Sequence, residues 1–133
     1  GSASNDNSNL MHCIHSAYML QCLVASKRAH PVPEPRDFLG YATTGGAALL
    51  GRADIGRLAP GMAADIVTIP LDEIGLAGAH HDPLAALFFC HVPRVQHNIV
   101  HGRVVVRDGR LQTVDLPVLL ERHNRLAREL VHG

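Results

Sequence analysis

The chain has 133 residues, 47 % of them apolar, and its 12 basic and 12 acidic residues give a formal net charge of +0 with histidine neutral. That length suits one ordinary domain or a part of something larger, and the apolar content belongs to a globular core rather than to a disordered chain. Scattered basic residues in a neutral chain offer no footprint for a phosphate backbone or anionic lipid, and no apolar run reaches membrane-spanning length, so neither nucleic acid nor a membrane is expected as a partner.

In chain order, the small polar opening "GSASNDNSN" offers Ser4, Asn5, Asp6 and Ser8 as N-caps for a helix from about Asn9 to about Lys27. That helix is apolar nearly all round and wants cover on more than one side. "HPVPEP" ends it, because each proline lacks an N–H and biases the residue before it away from helical geometry. "PRDFLGYATTGGAALLG" resumes helix, with Phe38, Ala42, Leu49 and Leu50 on one broad face and Gly51 as its C-terminal cap. Gly45 and Gly46 mark either a break or a close approach by another element.

Turns are expected at Gly56 and Pro60-Gly61, followed by a short strand in "ADIVTI". Asp82 and Pro83 suit the N-cap and first position of a helix carrying Leu84, Leu87 and Phe88. "RVQHNIVHGRVVVRDGRLQTV" reads as three strands turned at His101-Gly102 and Asp108-Gly109. The last element is an amphipathic helix capped by Asp115, with a stripe through Leu116, Leu119, Leu120, His123, Leu126 and Leu130 and a Glu121 to Arg125 pair.

The ten histidines raise the question of a metal site. His12 and His15 share a helix face without an HExxH pattern, and in His80-His81-Asp82 the aspartate already has a role as a cap, so no zinc centre is expected from either. No GxGxxG, GxxxxGK[ST] or GxSxG occurs, which removes support for dinucleotide binding, nucleotide hydrolysis and elbow-type serine hydrolysis. "TTGGAALLG" could offer backbone N–H groups to an anion, but close helix packing calls for the same glycines. Cys13, Cys22 and Cys90 are odd in number, lack CxxC spacing and lie in apolar stretches, the pattern of buried free thiols in a reducing, cytoplasmic compartment. Ser2, Ser4, Asn5 and Asp6 either line a pocket or only start a helix.

Read together, "GSASNDNSNL", "LGRADIGRLAPGMAADIV", "AHHDPLAAL" and "VHGRVVVRDG" resemble the C-terminal part of the metal-dependent amidohydrolase superfamily, in the branch of 8-oxoguanine deaminase and the atrazine-pathway hydrolases. The resemblance runs through essentially the whole chain. It implies an α+β chain: residues 1–52 as the last loop and helices of a (β/α)8 barrel, and residues 53–133 as the C-terminal strands of a small β-sandwich domain with a terminal helix. In that superfamily one zinc or iron ion activates a hydroxide that attacks a C–N centre other than a peptide bond. The resemblance places Ser2, Ser4, Asn5 and Asp6 on the substrate side of the barrel mouth and matches no histidine here to a metal ligand, so no catalytic residue and no cofactor are assigned to this chain. The strand-ending aspartate expected just before Gly1, the His-x-His pair and the catalytic glutamate are not in it. His15 stands where arginine is common in this helix. A truncated hydrolase, inactive alone, is the leading expectation, with a small-molecule substrate only in the full-length parent. A stand-alone oligomerising domain is the alternative. Self-association is expected through Ile14, Tyr18 and Leu23, or through edge pairing at Val104 to Val106.

Overall fold

A computed structural model of the chain describes residues 9–90 and 94–133. They form a mixed α+β fold in two compact units. One contains the described residues of 1–63 and 71–93; the other contains Ala64–Pro70 and Arg94–Gly133. Residues 71–90, which follow the first strand in sequence, belong to the helical unit.

The helical unit begins with α1, Leu10–Arg28. Its N-cap is Asn9, whose side chain accepts from the Met11 N–H at 3.0 Å, one residue beyond the candidates Ser4 to Ser8. At the other end Ala29 turns left-handed (φ 52°) and the His30 N–H reaches the Ala25 carbonyl at 3.2 Å, which closes the helix just before the prolines. Of the apolar residues of α1, only Ile14 and Ala25 are buried.

The second helical run is α2 (Pro35–Gly40), a π turn (Tyr41–Gly45) and α3 (Gly46–Leu49). In the π turn the Thr43 hydroxyl donates to the Leu39 carbonyl at 2.8 Å and the Thr44 hydroxyl to the Gly40 carbonyl at 3.2 Å, so side chains serve carbonyls where the helix widens. The run ends in a Schellman motif: Gly51 takes φ 65°, its N–H meets the Ala48 carbonyl at 3.0 Å, and Arg52 N–H meets the Ala47 carbonyl at 3.0 Å.

One expectation for this run is corrected, while Gly45 and Gly46 mark a break in the regular helix, the junction of the π turn with α3. Phe38 is buried and Ala42 half-buried, but Leu49 is 88 % exposed and Leu50 69 % exposed, and Ala47 is the buried residue instead. The π turn takes more residues per turn and so shifts the helix phase, which leaves the leucines off the buried face. The close approach is made elsewhere: Gly56 (φ 89°) lies so near that a Cβ on it would stand 3.0 Å from Ala47 Cβ and from the Thr43 carbonyl oxygen. Gly45 and Gly46 belong to the helical run and form no loop that cradles an anion.

Beyond it, the Met62 N–H closes on the Ala59 carbonyl at 3.1 Å with Gly61 at φ 82°, the turn that Pro60-Gly61 predicts. A 3-10 turn, Ile74–Leu76, buries Leu76 almost completely. Helix α4, Pro83–Phe89, starts as expected: the Asp82 carboxylate accepts from the Ala85 N–H at 3.0 Å and Pro83 opens the first turn. It buries Ala86 and Phe88 while Leu84 stays exposed. Asp82→Ala is expected to lower stability by about 1 kcal/mol, read as the urea midpoint; an unchanged midpoint would remove the cap from the account.

The second unit is an antiparallel four-stranded sheet in the order β1 (Ile66–Thr68), β2 (His97–Val100), β3 (Arg103–Arg107) and β4 (Arg110–Leu111). Ile66 pairs with Ile99, Ile99 with Val104, and Val106 with Leu111, with a bulge between Asn98 and Ile99. Both expected hairpins close with two residues at positive φ, His101 (48°) with Gly102 (78°) and Asp108 (49°) with Gly109 (71°), the requirement of type I′ turns. The Asp65 carboxylate takes the His101 N–H at 2.7 Å and ties the first hairpin to the start of β1.

Helix α5, Leu116–His132, is capped by Asp115, which accepts from the Val118 N–H at 3.3 Å, and all its residues are exposed. Arg125 reaches forward to Glu129 (3.9 Å), where the sequence suggests a partner in Glu121.

These placements bear on assembly. Ile14 is buried and Tyr18 half-buried within the helical unit, so of the α1 trio only Leu23 remains exposed. Strand β3 lies between β2 and β4, which leaves β1 and β4 as the sheet edges in place of Val104 to Val106.

Candidate functional site

Ser2, Ser4, Asn5 and Asp6 lie outside the described residues. Next to them in sequence stand α1 and the elements packed on it.

The chain has three phenylalanines, two tyrosines and no tryptophan, and all five rings meet in the helical unit. Ile14, Phe38 and Phe88 form its buried centre, with Met11, Tyr18, Leu39 and Ala42 against them. Tyr18 stands edge-on to Phe38 at 5.6 Å, Phe88 at 5.3 Å and Phe89 at 5.5 Å, while Phe38 meets Tyr41 at 5.5 Å. Such edge-to-face contacts stabilise beyond the area they bury. The Tyr18 phenol has its pKa raised, first by a side-chain hydrogen bond with Cys22 one turn on and then by desolvation.

His15 is part of this cluster. Its ring stacks on Phe88 (5.6 Å, 13°), meets Phe89 edge-on at 6.1 Å, and its Nδ1 lies 3.2 Å from the Phe88 carbonyl oxygen. A carbonyl only accepts, so Nδ1 carries the proton in this contact. His15 is thus a fastener between α1 and α4. Residue-by-residue reading missed it, because its partner lies 73 residues away.

Two other histidines are committed to structural contacts. His80 Nε2 donates to the Leu71 carbonyl at 2.6 Å and braces the loop before α4, while Asp82 caps that helix. His97 links three parts of the sheet: its backbone N–H donates to the Thr68 hydroxyl at 3.1 Å, its Nδ1 lies 3.2 Å from the same hydroxyl, and its Nε2 lies 3.4 Å from the Asp108 carboxylate. Threonine, histidine and aspartate stand there in the order of a hydrolytic triad. Their setting is an open sheet with Thr68 and Asp108 exposed, and the contacts act as a tie between β1, β2 and the second hairpin.

Among the described residues no group of three or more His, Cys, Asp and Glu is placed to hold a metal ion. A hydrolytic zinc centre takes three protein ligands and a water, so the described residues do not fit such a centre. Also among the described residues, no helix is long and apolar enough to cross a membrane.

The described residues thus form a mixed α+β fold in which Asn9, Asp82 and Asp115 cap helices, His15 and His80 hold backbone carbonyls, and Thr68, His97 and Asp108 tie the sheet. The chain belongs to the amidohydrolase family, which it matches over residues 1–105. It is 46 % identical over 135 residues to hydroxydechloroatrazine ethylaminohydrolase of Pseudomonas sp. (strain ADP), covering 100 % of this chain and 28 % of that protein. It is 43 % identical over 134 residues to 8-oxoguanine deaminase of Pseudomonas aeruginosa, covering 100 % of this chain and 29 % of that one. Among solved structures, atrazine chlorohydrolase from Arthrobacter aurescens, in complex with zinc, superposes with a TM-score of 0.79 at 35 % identity, over 95 % of this chain and 28 % of the other. The chain thus spans less than a third of the length of these relatives.

Proposed function

We propose that the chain is the C-terminal segment of a metal-dependent aminohydrolase acting on a nitrogen heterocycle such as 8-oxoguanine, or of a related C–N hydrolase. The observation that carries this reading is the end-to-end match, at 46 % and 43 % identity, to two enzymes named for that chemistry. On this reading residues 1–52 close a barrel, residues 53–133 complete the adjoining β-sandwich, and the protein is cytoplasmic, in keeping with Cys22 and Cys90 outside any disulfide; these two are half-buried and Cys13 is exposed, where the sequence suggests buried thiols. Ser2, Ser4, Asn5 and Asp6 shape the substrate side of the barrel mouth, with no bond-making role. The zinc or iron of the family is held by groups other than the described residues. The aromatic cluster is compatible with the reading, since it fastens α1 to α2 and α4.

Two measurements test it. The desalted chain is expected to retain no stoichiometric zinc or iron, and to release no ammonia from 8-oxoguanine or aminotriazines, since water without a metal or a positioned base stays a poor nucleophile. One tightly held metal per chain, lost on His80→Ala or His81→Ala, overturns the first statement. Ammonia release that tracks the pure chain and disappears on Asp6→Asn overturns the second.

One observation favours a second reading, a structural domain that self-associates: Leu10, Met19, Leu20 and Leu23 of α1 are each more than half exposed. Light scattering of the wild type and of Leu20→Asp across a tenfold dilution tests it, because a monomer mass throughout, or an oligomer that Leu20→Asp leaves intact, removes α1 as an assembly surface.

A further inference from the structure

Helix α5 carries an apolar seam that its own unit leaves exposed. Written as heptads from Leu116, positions a and d are Leu116, Leu119, His123, Leu126 and Leu130, position e holds Leu120 and Ala127, and position g holds Arg122 and Glu129. A seam of this kind, here little more than two heptads long, is a surface on which a second helix can pack.

The charges choose between the two ways of doing so. In a parallel pair, a positions face a positions and g faces e, so His123 meets its own copy and Arg122 lies opposite Ala127. In an antiparallel pair, a faces d and g faces g. His123 then packs on Leu126 of the other copy, and Arg122 of each copy lies opposite Glu129 of the other. The antiparallel arrangement therefore forms two ion pairs of opposite sign and keeps two imidazoles apart. Arg125 holds Glu129 only loosely within one helix, at 3.9 Å with both side chains 64 % exposed, which leaves Glu129 able to accept a second arginine.

We propose that α5 of one copy of this chain pairs antiparallel with α5 of a second copy, with Leu119, Leu126 and Leu130 as the buried seam and Arg122 to Glu129 as the flanking contacts. This interface uses neither α1 nor the hydrolase reading, and the α5 variants test it separately from both.

The test is sedimentation equilibrium of the full chain at low salt. Wild type is expected to dimerise, and Leu126→Asp to shift it to monomer with its helical circular dichroism retained. Arg122→Glu and Glu129→Arg are each expected to weaken dimerisation about tenfold, since each turns two attractive pairs into two repulsive ones. The double variant R122E/E129R restores opposite charges across the interface and is expected to return to within about threefold of wild type. A wild type that is monomeric at every concentration, a dimer indifferent to Leu126→Asp, or a double variant no tighter than the singles overturns the proposal.

Discussion

Replacing Gly56 by alanine is expected to destabilise the helical unit by about 2–4 kcal/mol, from a left-handed backbone that costs an L-residue about 1–2 kcal/mol and a steric insertion that costs about 1–3 kcal/mol more. The new methyl would sit 3.0 Å from Ala47 Cβ, 3.0 Å from the Thr43 carbonyl oxygen and 3.1 Å from Thr44 Cα. Two of those atoms are helix backbone, so no side-chain rotation relieves the contact. Gly61 supplies the control. Its φ is 82° and a Cβ there would meet nothing within 4 Å, so Gly61→Ala carries the conformational cost alone, about 1–2 kcal/mol. Urea unfolding followed by tyrosine fluorescence reads this unit selectively, because Tyr18 and Tyr41 both lie in it and the chain has no tryptophan. Equal losses for the two variants would mean that Gly56 is held by its turn and that its approach to the helix contributes nothing.

Phe88→Ala is expected to cost about 3–5 kcal/mol, the range for emptying a buried aromatic site. Phe88 is 4 % exposed and touches Ile14, Phe38, Tyr18 and His15, so its removal opens the centre of the cluster rather than its rim. A single domain has only about 5–15 kcal/mol of stability, so the variant should lose near-ultraviolet circular dichroism well before the wild type on heating. The neighbouring Phe89, at 49 % exposure, provides the comparison, with an expected loss well below that of Phe88. A Phe88→Ala loss no larger than that of Phe89→Ala would show that α4 is not anchored through this ring.

The family was legible in the sequence because its marks are short-range. Asp82-Pro83 and Asp115 cap helices, Pro60-Gly61 makes a turn, and His101-Gly102 and Asp108-Gly109 close hairpins, each through dihedral and hydrogen-bonding needs satisfied within a few residues. The α+β class and the strand positions followed from the same local rules. The candidate site was legible only as a resemblance, since Ser2, Ser4, Asn5 and Asp6 carry no chemistry distinguishable from that of a helix start.

What tertiary structure alone decided is which apolar residues are used and where the histidines go. Leu49 and Leu50 match a buried stripe in sequence, but the π turn rotates them to the surface and gives the interior to Ala47. Ile14 and Tyr18, eligible for an assembly surface, are taken up by Phe38 and Phe88 instead. His15 becomes a fastener only because a carbonyl 73 residues away is brought within 3.2 Å. Periodicity reports that a face is apolar, and caps report where a helix begins. Neither contains the distance between segments far apart in the chain, and that distance determines whether a leucine is core, surface or seam.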